Sequence, residues 1–294
     1  MLHTIDLHFH LDHAIAAFVV ETHDGLVLIE SGPHSVFPYL EKGLADLGFS
    51  IADVKHLLLT HIHFDHAGAA WALAQAGAQV YVHPRGYKHL LDPSRLYGSA
   101  KRIYGDFMES LWGDMQPIAE QQLTSVEHGS SFTFGGKTFT AWHTPGHASH
   151  HIAWQWGDQV FAGDVAGVSI DGGPVVPPCP PPDIDIEAWN DSLDLLVNLK
   201  PSVLHLTHFG AITEVETHIS QLRQMLTGWS QWIFPHWEAG RDMNIVTPEF
   251  QTYASDQLRD AGLGAAAIDR YQAANPAWMS VAGLYRYWTK KSEE

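Results

Sequence analysis

The sequence predicts an α/β protein of two sheets packed face to face, with helices on the outer sides. Two observations carry that expectation. Apolar runs of strand length and segments of helical spacing follow the order strands, helices, strands, helices, so the chain reads as two similar halves. Four short polar motifs also fall just beyond the ends of expected strands, as they would if those ends converged on one edge and presented a site on loops. A doubly wound parallel sheet fits the same order and is the competing arrangement.

Ala16 to Thr22 is rich in β-formers, His23-Asp24-Gly25 supplies turn chemistry, and Leu26 to Ile29 is a buried-strand run; together they predict a hairpin. Ser31-Gly32-Pro33 ends it. Phe37, Leu40, Leu44 and Leu47 recur at helical spacing, and Gly48 closes that helix. Val54 to Leu59 is a short apolar strand, Ala67 to Ala76 an alanine-rich helix, and Gln79 to Val82 another strand. From Pro84 to Pro117 no strand signal appears, and the aromatic and leucine spacing predicts short amphipathic helices, so 84–117 is expected to be a helical insertion. Strands resume at Thr124 to Val126, Ser131 to Phe134 and Lys137 to Trp142, with Gly135-Gly136 as a hairpin turn. His151 to Gln155 and Gln159 to Ala162 are two more. Gly172 to Pro182 is proline-rich and must be an irregular loop. Asp185 is placed to cap a helix through Leu199, and Ser202 to Leu206 is a strand. Beyond Glu214 the pattern is helical to the end, with interruptions expected at Pro235, Pro248 and Pro276. The expected division is a catalytic domain over 1–213 and a helical C-terminal region over 214–294.

Composition narrows the function. With 45% hydrophobic and 11% aromatic residues, the 294-residue chain is globular and can bury a full core. No apolar run is long enough for a transmembrane helix, and Met1-Leu2-His3-Thr4 lacks the basic start of a secretory signal, so a cytoplasmic location is expected. The single cysteine, Cys179, rules out an internal disulfide and a cysteine-rich zinc site; it is expected to be packed rather than catalytic. A formal charge of −17 argues against a nucleic-acid partner, because phosphate binding needs clustered Lys and Arg. Histidine is the outlier, with 21 residues against 16 Lys and Arg together. Its spacing, rather than its number, points to chemistry.

His61-Ile62-His63-Phe64-Asp65-His66 follows the Val54 strand directly. Three imidazoles and a carboxylate within six residues suit a divalent metal of intermediate softness such as zinc. On turning backbone His61 and His63 share one side and can bind a common ion, while Asp65 and His66, one step on, can serve a second. Downstream the pattern recurs in kind: Thr144-Pro145-Gly146-His147, then Ala162-Gly163-Asp164, then Thr207-His208-Phe209-Gly210, each just past a strand.

As a set and in this order, these four motifs resemble the signature of the metallo-β-lactamase superfamily, and within it the glyoxalase II and lactonase group most of all. The resemblance runs from about Ile15 to Gly210. It implies a four-layer αββα sandwich carrying the helical insertion and the C-terminal extension. It also implies that His61, His63 and His147 hold one metal, that Asp65, His66 and His208 hold another, and that Asp164 bridges them. The implied cofactors are two divalent ions, zinc first, with iron or manganese as alternatives. The implied activity is a dinuclear hydrolase whose metal-bridging hydroxide attacks a small ester, thioester or lactone, with Asp65 carrying the proton to the leaving group. Alternatives are a mononuclear iron sulfur dioxygenase of the same fold, a phosphodiesterase, and a metal-binding protein without turnover. A small-molecule substrate is expected, no membrane partner, and a homodimer is left open.

Three departures stand out. Ile29-Glu30-Ser31-Gly32 carries Glu30 where the family usually has Asp; Glu30 is expected to hold a ligand loop in place. His151 occupies the family's non-ligand histidine position, and His150 is extra, at the pocket edge or exposed. His8-Phe9-His10-Leu11-Asp12-His13 repeats the ligand spelling without a buried strand before it, and is expected to be a mobile entrance segment rather than a metal site. Three regions are expected to wall the pocket. They are the insertion with Lys88, Arg95, Lys101, Arg102, Tyr97 and Tyr104, the stiff Gly172–Pro182 loop, and one or two C-terminal aromatics. The insertion's bases either receive a substrate carboxylate or phosphate or form a solvated face. The paired bases that bind glutathione in true glyoxalase II are not evident.

Overall fold

A computed structural model describes residues 1–293 of the chain. The first sheet is built in sequence order from β1 (Leu2–Asp6), β2 (Ala16–Thr22), β3 (Gly25–Ile29), β4 (Val54–Leu58), β5 (Gln79–Val82) and β6 (Leu123–Ser125). Its first three strands are antiparallel and the rest add in parallel. Parallel addition requires crossovers. These are α1 (Phe37–Asp46), then the short α2 (Phe64–Ala67) and α3 (Ala70–Gln75), then α4 (Pro84–Leu91), α5 (Ser94–Tyr104) and α6 (Met108–Trp112).

The second sheet runs β7 (Ser131–Phe134), β8 (Lys137–His143), β9 (Ile152–Trp156), β10 (Gln159–Phe161), β11 (Val203–Leu206) and β12 (Gly210–Ile212). Only β10 and β11 are parallel, and α7 (Ile186–Asn198) makes the crossover between them. The helices α8 (Val215–Glu238), α9 (Met243–Asp260), α10 (Ala265–Ala274) and α11 (Ala277–Glu293) follow.

Strand alternation shows why the layers form. Ala16, Phe18 and Val20 point into a cluster shared with Phe139, Trp154 and Phe161 of the facing sheet. Ala17 and Val19 point the other way, into a cluster with Leu40, Leu44 and Leu73 of the helices. On the far side, Val160 and Leu204 join Leu193, Leu222 and Phe250. Both faces of the sheets are covered at β2, β3, β5, β10 and β11, which is why those strands read as continuous apolar runs, whereas β7 and β8 alternate Phe and Ala of the shared core with Ser and Thr on an open outer face. The result is the four-layer αββα sandwich with a helical C-terminal extension.

The structure adds to the sequence reading and corrects it in places. β1 and β12 carry no apolar run: β1 is an edge strand that buries only Ile5, and it was legible only through its pairing with β2. A strand thus does precede the His8 to His13 segment, though not a buried one. Pro235 and Pro248 do not interrupt their helices but lie inside α8 and α9. Each costs a backbone hydrogen bond. That loss is offset by packing: Trp229 meets Phe250 edge-on at 4.9 Å and Ile233 is fully buried. Pro276 does separate α10 from α11, as expected.

Candidate metal centre

The ends of β4, β8, β10 and β11 come together at one edge of the sandwich. His61 and His63 follow β4, and His63 leads into the single turn of α2, which carries Asp65 and His66. His147 lies between β8 and β9, Asp164 in a 3-10 turn after β10, and His208 just after β11. All seven predicted residues meet here. His61, His63 and His147 form one group able to hold an ion, Asp65, His66 and His208 form another, and Asp164 groups with His61 and His66.

Two glycines make the approach possible. Gly146 has φ +131°, and a Cβ there would lie 2.3 Å from the Trp189 backbone. Gly163 has φ +49°, and a Cβ there would strike Thr60 Oγ1 at 2.6 Å and His151 Nε2 at 2.7 Å.

The proton positions on the imidazoles follow from what lies behind them. His147 Nδ1 donates to the Pro178 carbonyl at 2.8 Å, and His208 Nδ1 to the Ala14 carbonyl at 2.6 Å. His66 Nδ1 donates to Glu30 Oε1 at 3.0 Å. The Thr60 hydroxyl donates to the same carboxylate at 2.5 Å, so it accepts from His61 Nδ1 at 3.0 Å. In each case the Nε2 lone pair is left facing the centre. His61 Nε2 and His147 Nε2 come within 2.9 and 3.1 Å of His63 Nδ1. A proton on His63 Nδ1 can satisfy only one of these two nitrogens, whereas a shared cation would satisfy all three.

Asp164 joins the two groups. Its Oδ2 lies 3.3 Å from His147 Nε2 and 4.0 Å from His61 Nε2, while its Oδ1 lies 3.2 Å from His66 Nε2 and 3.4 Å from His208 Nε2. Asp65 Oδ2 sits 3.4 Å from His208 Nε2 and 3.6 Å from His66 Nε2. His66 Nε2, His208 Nε2 and Asp164 Oδ1 are nonetheless buried without a well-aligned hydrogen-bond partner. Buried polar atoms are normally satisfied, so these orphaned atoms fit a metal.

The electrostatics agree. Burial, reinforced by neighbouring imidazoles, holds His61 well below the ordinary histidine pKa, and burial with His147 brings His63 to about 4. Both are therefore neutral, as ligands must be. Burial would also lower His66 and His208, but Asp164 and Asp65 raise both. Burial opposes ionisation of Asp65 and Asp164, yet His66 and His208 hold Asp65 down at about 2 and Asp164 well below the carboxylate range. A field that favours a proton on His66 and His208 favours a divalent cation in its place.

Glu30 is fully buried and accepts from the Thr60 hydroxyl and backbone N–H, from His66 and from the Thr207 hydroxyl, so it ties β4, α2 and the β11 end together. His151 takes no place among the candidate ligands: its Nδ1 donates to Thr144 Oγ1 at 2.8 Å, and its Nε2 accepts from the Asp164 N–H at 3.2 Å. It thus positions Asp164.

The sequence model of the metallo-β-lactamase superfamily matches residues 10–208, about two thirds of the chain. The chain belongs to the metallo-β-lactamase superfamily. One relative is the metallo-beta-lactamase fold-containing protein ST1585 of Sulfurisphaera tokodaii, 30% identical over 202 residues that span 67% of this chain and 74% of that protein. Its crystal structure superposes with a TM-score of 0.63 over 76% of this chain and 86% of that one. The superfamily protein TTHA1429 from Thermus thermophilus matches in fold over 99% of this chain and 94% of its own, with a TM-score of 0.67 at 20% identity. The thioesterase pkgB of Emericella nidulans is 28% identical over 212 residues, or 69% of this chain, which spans only 48% of that protein. The N-acyl homoserine lactonase AttM of Agrobacterium fabrum is 31% identical over 121 residues, 39% of this chain and 43% of its own.

In this superfamily member four of the seven predicted ligands, His63, Asp65, Asp164 and His208, line a cavity of about 1000 Å³. Of the bases expected around it, Lys88 and Arg95 line the cavity, whereas Lys101 and Arg102 do not. Arg85 lines it too; its position at the start of α4 follows the β5 end, and sequence reasoning passed over it. Tyr104 and Trp278 are the insertion tyrosine and the C-terminal aromatic that face the cavity; Tyr97 does not. His150 is at the pocket edge, one of the two alternatives expected, and Cys179 is fully buried. The His8–His13 segment is pinned rather than loose. Asp6 accepts from the His8 and His13 backbone N–H groups, His13 hydrogen-bonds Asp171 at 2.6 Å, and Phe9 stacks on Trp112 at 5.4 Å. Asp6, His8 and Asp12 do approach one another closely enough for a cation, but His8 and Asp12 are exposed and lie apart from the main centre. No helix of the described residues is long and apolar enough to cross a membrane.

Proposed function

We propose that the chain is a metal-dependent hydrolase that cleaves a small ester, thioester or lactone at a two-metal site. His61, His63 and His147 would hold one ion and Asp65, His66 and His208 the other, with Asp164 between them. The observation that carries this reading is the position of Asp164, which turns one carboxylate oxygen to each trio. The mixed histidine and carboxylate donors suit zinc. When bound, such a pair of ions supplies the Lewis acidity that polarises a carbonyl and activates water near neutral pH.

In the reaction, water adds to the carbonyl carbon, the C–O or C–S bond breaks, and a proton from that water ends on the alcohol or thiol that leaves. Asp65 suits the role of proton carrier. It is partly open to the cavity, whereas Asp164 is buried and enclosed by histidines. Its carboxylate is ionised, so it has an oxygen free to take a proton and pass it on. The thioesterase and lactonase among the relatives support the choice of acyl substrates.

The test is metal analysis of protein purified without added metal, with assays on a lactone, thioester and phosphodiester panel. About two ions per chain, with lactone or thioester turnover lost in His61→Ala and Asp164→Ala, is the expected result. One iron per chain without hydrolysis would overturn it in favour of a sulfur dioxygenase, and turnover of the phosphodiester alone would move the reading to phosphorus.

A further inference from the structure

We infer that the substrate is an amphiphile, with an anionic group on one side of the bond that is cut and an apolar chain on the other. This rests on the hydrolase reading above and deepens it. A cavity of about 1000 Å³ far exceeds what an ester bond needs, and its two ends differ in chemistry. The helix α5 lines it from Arg95 to Tyr104, a rise of roughly 13 Å.

At the Tyr104 end the wall is aromatic. Tyr104 packs edge-on against Trp112 at 5.3 Å and Trp278 at 5.8 Å, and Phe64 lies 6.0 Å from Trp112. Ile103 and Phe107, 56% and 71% exposed, carry this surface outward to solvent. Asp65 lies on this side: it follows Phe64, which packs on Trp112, and both residues line the cavity.

The other end is cationic. Arg85, Lys88 and Arg95 are exposed on the cavity rim, with His89 between the last two; Asp183, His150 and His63 line the same cavity, the last two with ring centres 5.6 Å apart. Among the described residues none of the three cations makes an ion pair, although the protein carries a formal charge of −17. Elsewhere Arg223, Arg241, Arg259 and Arg270 are each held by a carboxylate, and Arg102 and Arg286, which are not, lie off the cavity; what distinguishes Arg85, Lys88 and Arg95 is that three such cations gather on one rim. Asp183, which also lines this end, is taken by the backbone N–H and hydroxyl of Ser149. Three unpaired cations facing a cavity in an acidic protein make a local field that selects and holds an anion. A substrate that satisfies both ends must carry a charge at one and an apolar chain at the other.

The test is calorimetric binding of three ketones, which resist hydrolysis, to the zinc-loaded protein. They are 4-oxododecanoate, its neutral amide, and the short acid 4-oxopentanoate. The long acid is expected to bind at least tenfold more tightly than its amide. That preference should fall to about twofold in Arg85→Gln/Lys88→Gln and in high salt. Shortening the chain should cost well over 100-fold, since each fully buried methylene is worth about fourfold, and Trp278→Ala should shrink that penalty. Equal binding of acid and amide, or of long and short acids, would overturn the inference. So would an acid preference untouched by the double variant, because the carboxylate would then sit on the metals. Ratios between probes on one protein separate these outcomes from a general loss of folding. If the ratios hold but no ester, thioester or lactone is turned over, the hydrolase reading fails and the two-ended pocket stands; turnover without the ratios means the reverse.

Discussion

Replacing Glu30 by Gln tests the logic of the centre without touching a candidate ligand. The Glu30 carboxylate accepts from four donors: the Thr60 hydroxyl at 2.5 Å, His66 Nδ1 at 3.0 Å, the Thr60 N–H at 3.3 Å and the Thr207 hydroxyl at 3.3 Å. An amide offers one oxygen and an NH2, so it cannot accept all four. If the NH2 faces His66 Nδ1, the proton there must move to Nε2, the atom that looks toward Asp65 and Asp164 and is needed to ligate. If it faces Thr60, that hydroxyl loses its acceptor and with it the relay that sets the His61 tautomer. Removing such a supporting partner typically costs ten- to a hundredfold in metal affinity, or about 1.4–2.7 kcal/mol. The assay is competition of the protein against a chromophoric chelator at one and two equivalents of zinc. The second equivalent should weaken most when His66 is disabled, and the first when the Thr60 relay is lost. Affinity within twofold of wild type at both equivalents would refute the tautomer argument. Glu30→Asp, which shortens the arm by one methylene, should fall between the two.

Gly163→Ala should lower the melting temperature of chelator-treated protein, with a cost of about 1–3 kcal/mol from the forced left-handed residue, and should weaken zinc binding because its Cβ meets both Thr60 and His151. Asp185→Ala removes the cap that accepts from Ala188 N–H at the start of α7, and should cost about 1 kcal/mol in urea unfolding while leaving metal stoichiometry alone. His205 lies 4.8 Å from Phe161 and 5.5 Å from Phe18, and burial brings its pKa to about 4. The unfolded chain therefore takes up a proton there near pH 6.5 that the folded one refuses, so stability is full above 6.5 and declines as pH falls toward 4. His205→Gln should make that decline shallower by one group's share, read from urea midpoints of the metal-free protein, with His61 and His63 still contributing; an unchanged slope would mean that His205 is not among the groups responsible.

What the sequence made legible about this site, and what it left hidden, divides along one physical line. Candidate ligands are particular side chains at fixed spacings past strand ends, so His61, His63, Asp65, His66, His147, Asp164 and His208 could be proposed before any fold was known, and the fold brings them together. The groups that aim them are different. His147 and His208 are oriented by the main-chain carbonyls of Pro178 and Ala14, and a carbonyl belongs to every residue alike. Glu30 was suspected from its place in a motif, but its bond to Thr207 spans 177 residues and exists only because β3 and the β11 end meet at the same edge. The pocket wall follows the same rule. Phe9, Tyr104, Trp112 and Trp278 come from the N-terminal segment, the insertion and the last helix; Tyr104 and a C-terminal aromatic were expected at the wall, whereas Phe9 and Trp112 each read as an ordinary core aromatic. Even Arg85 draws no notice until its lack of a carboxylate partner is seen beside the cavity. Chemistry that depends on residue type was therefore legible early, whereas selectivity was legible only as candidate walls: the insertion was expected to face the pocket, but which of its bases and aromatics do so depends on what the fold brings beside that chemistry.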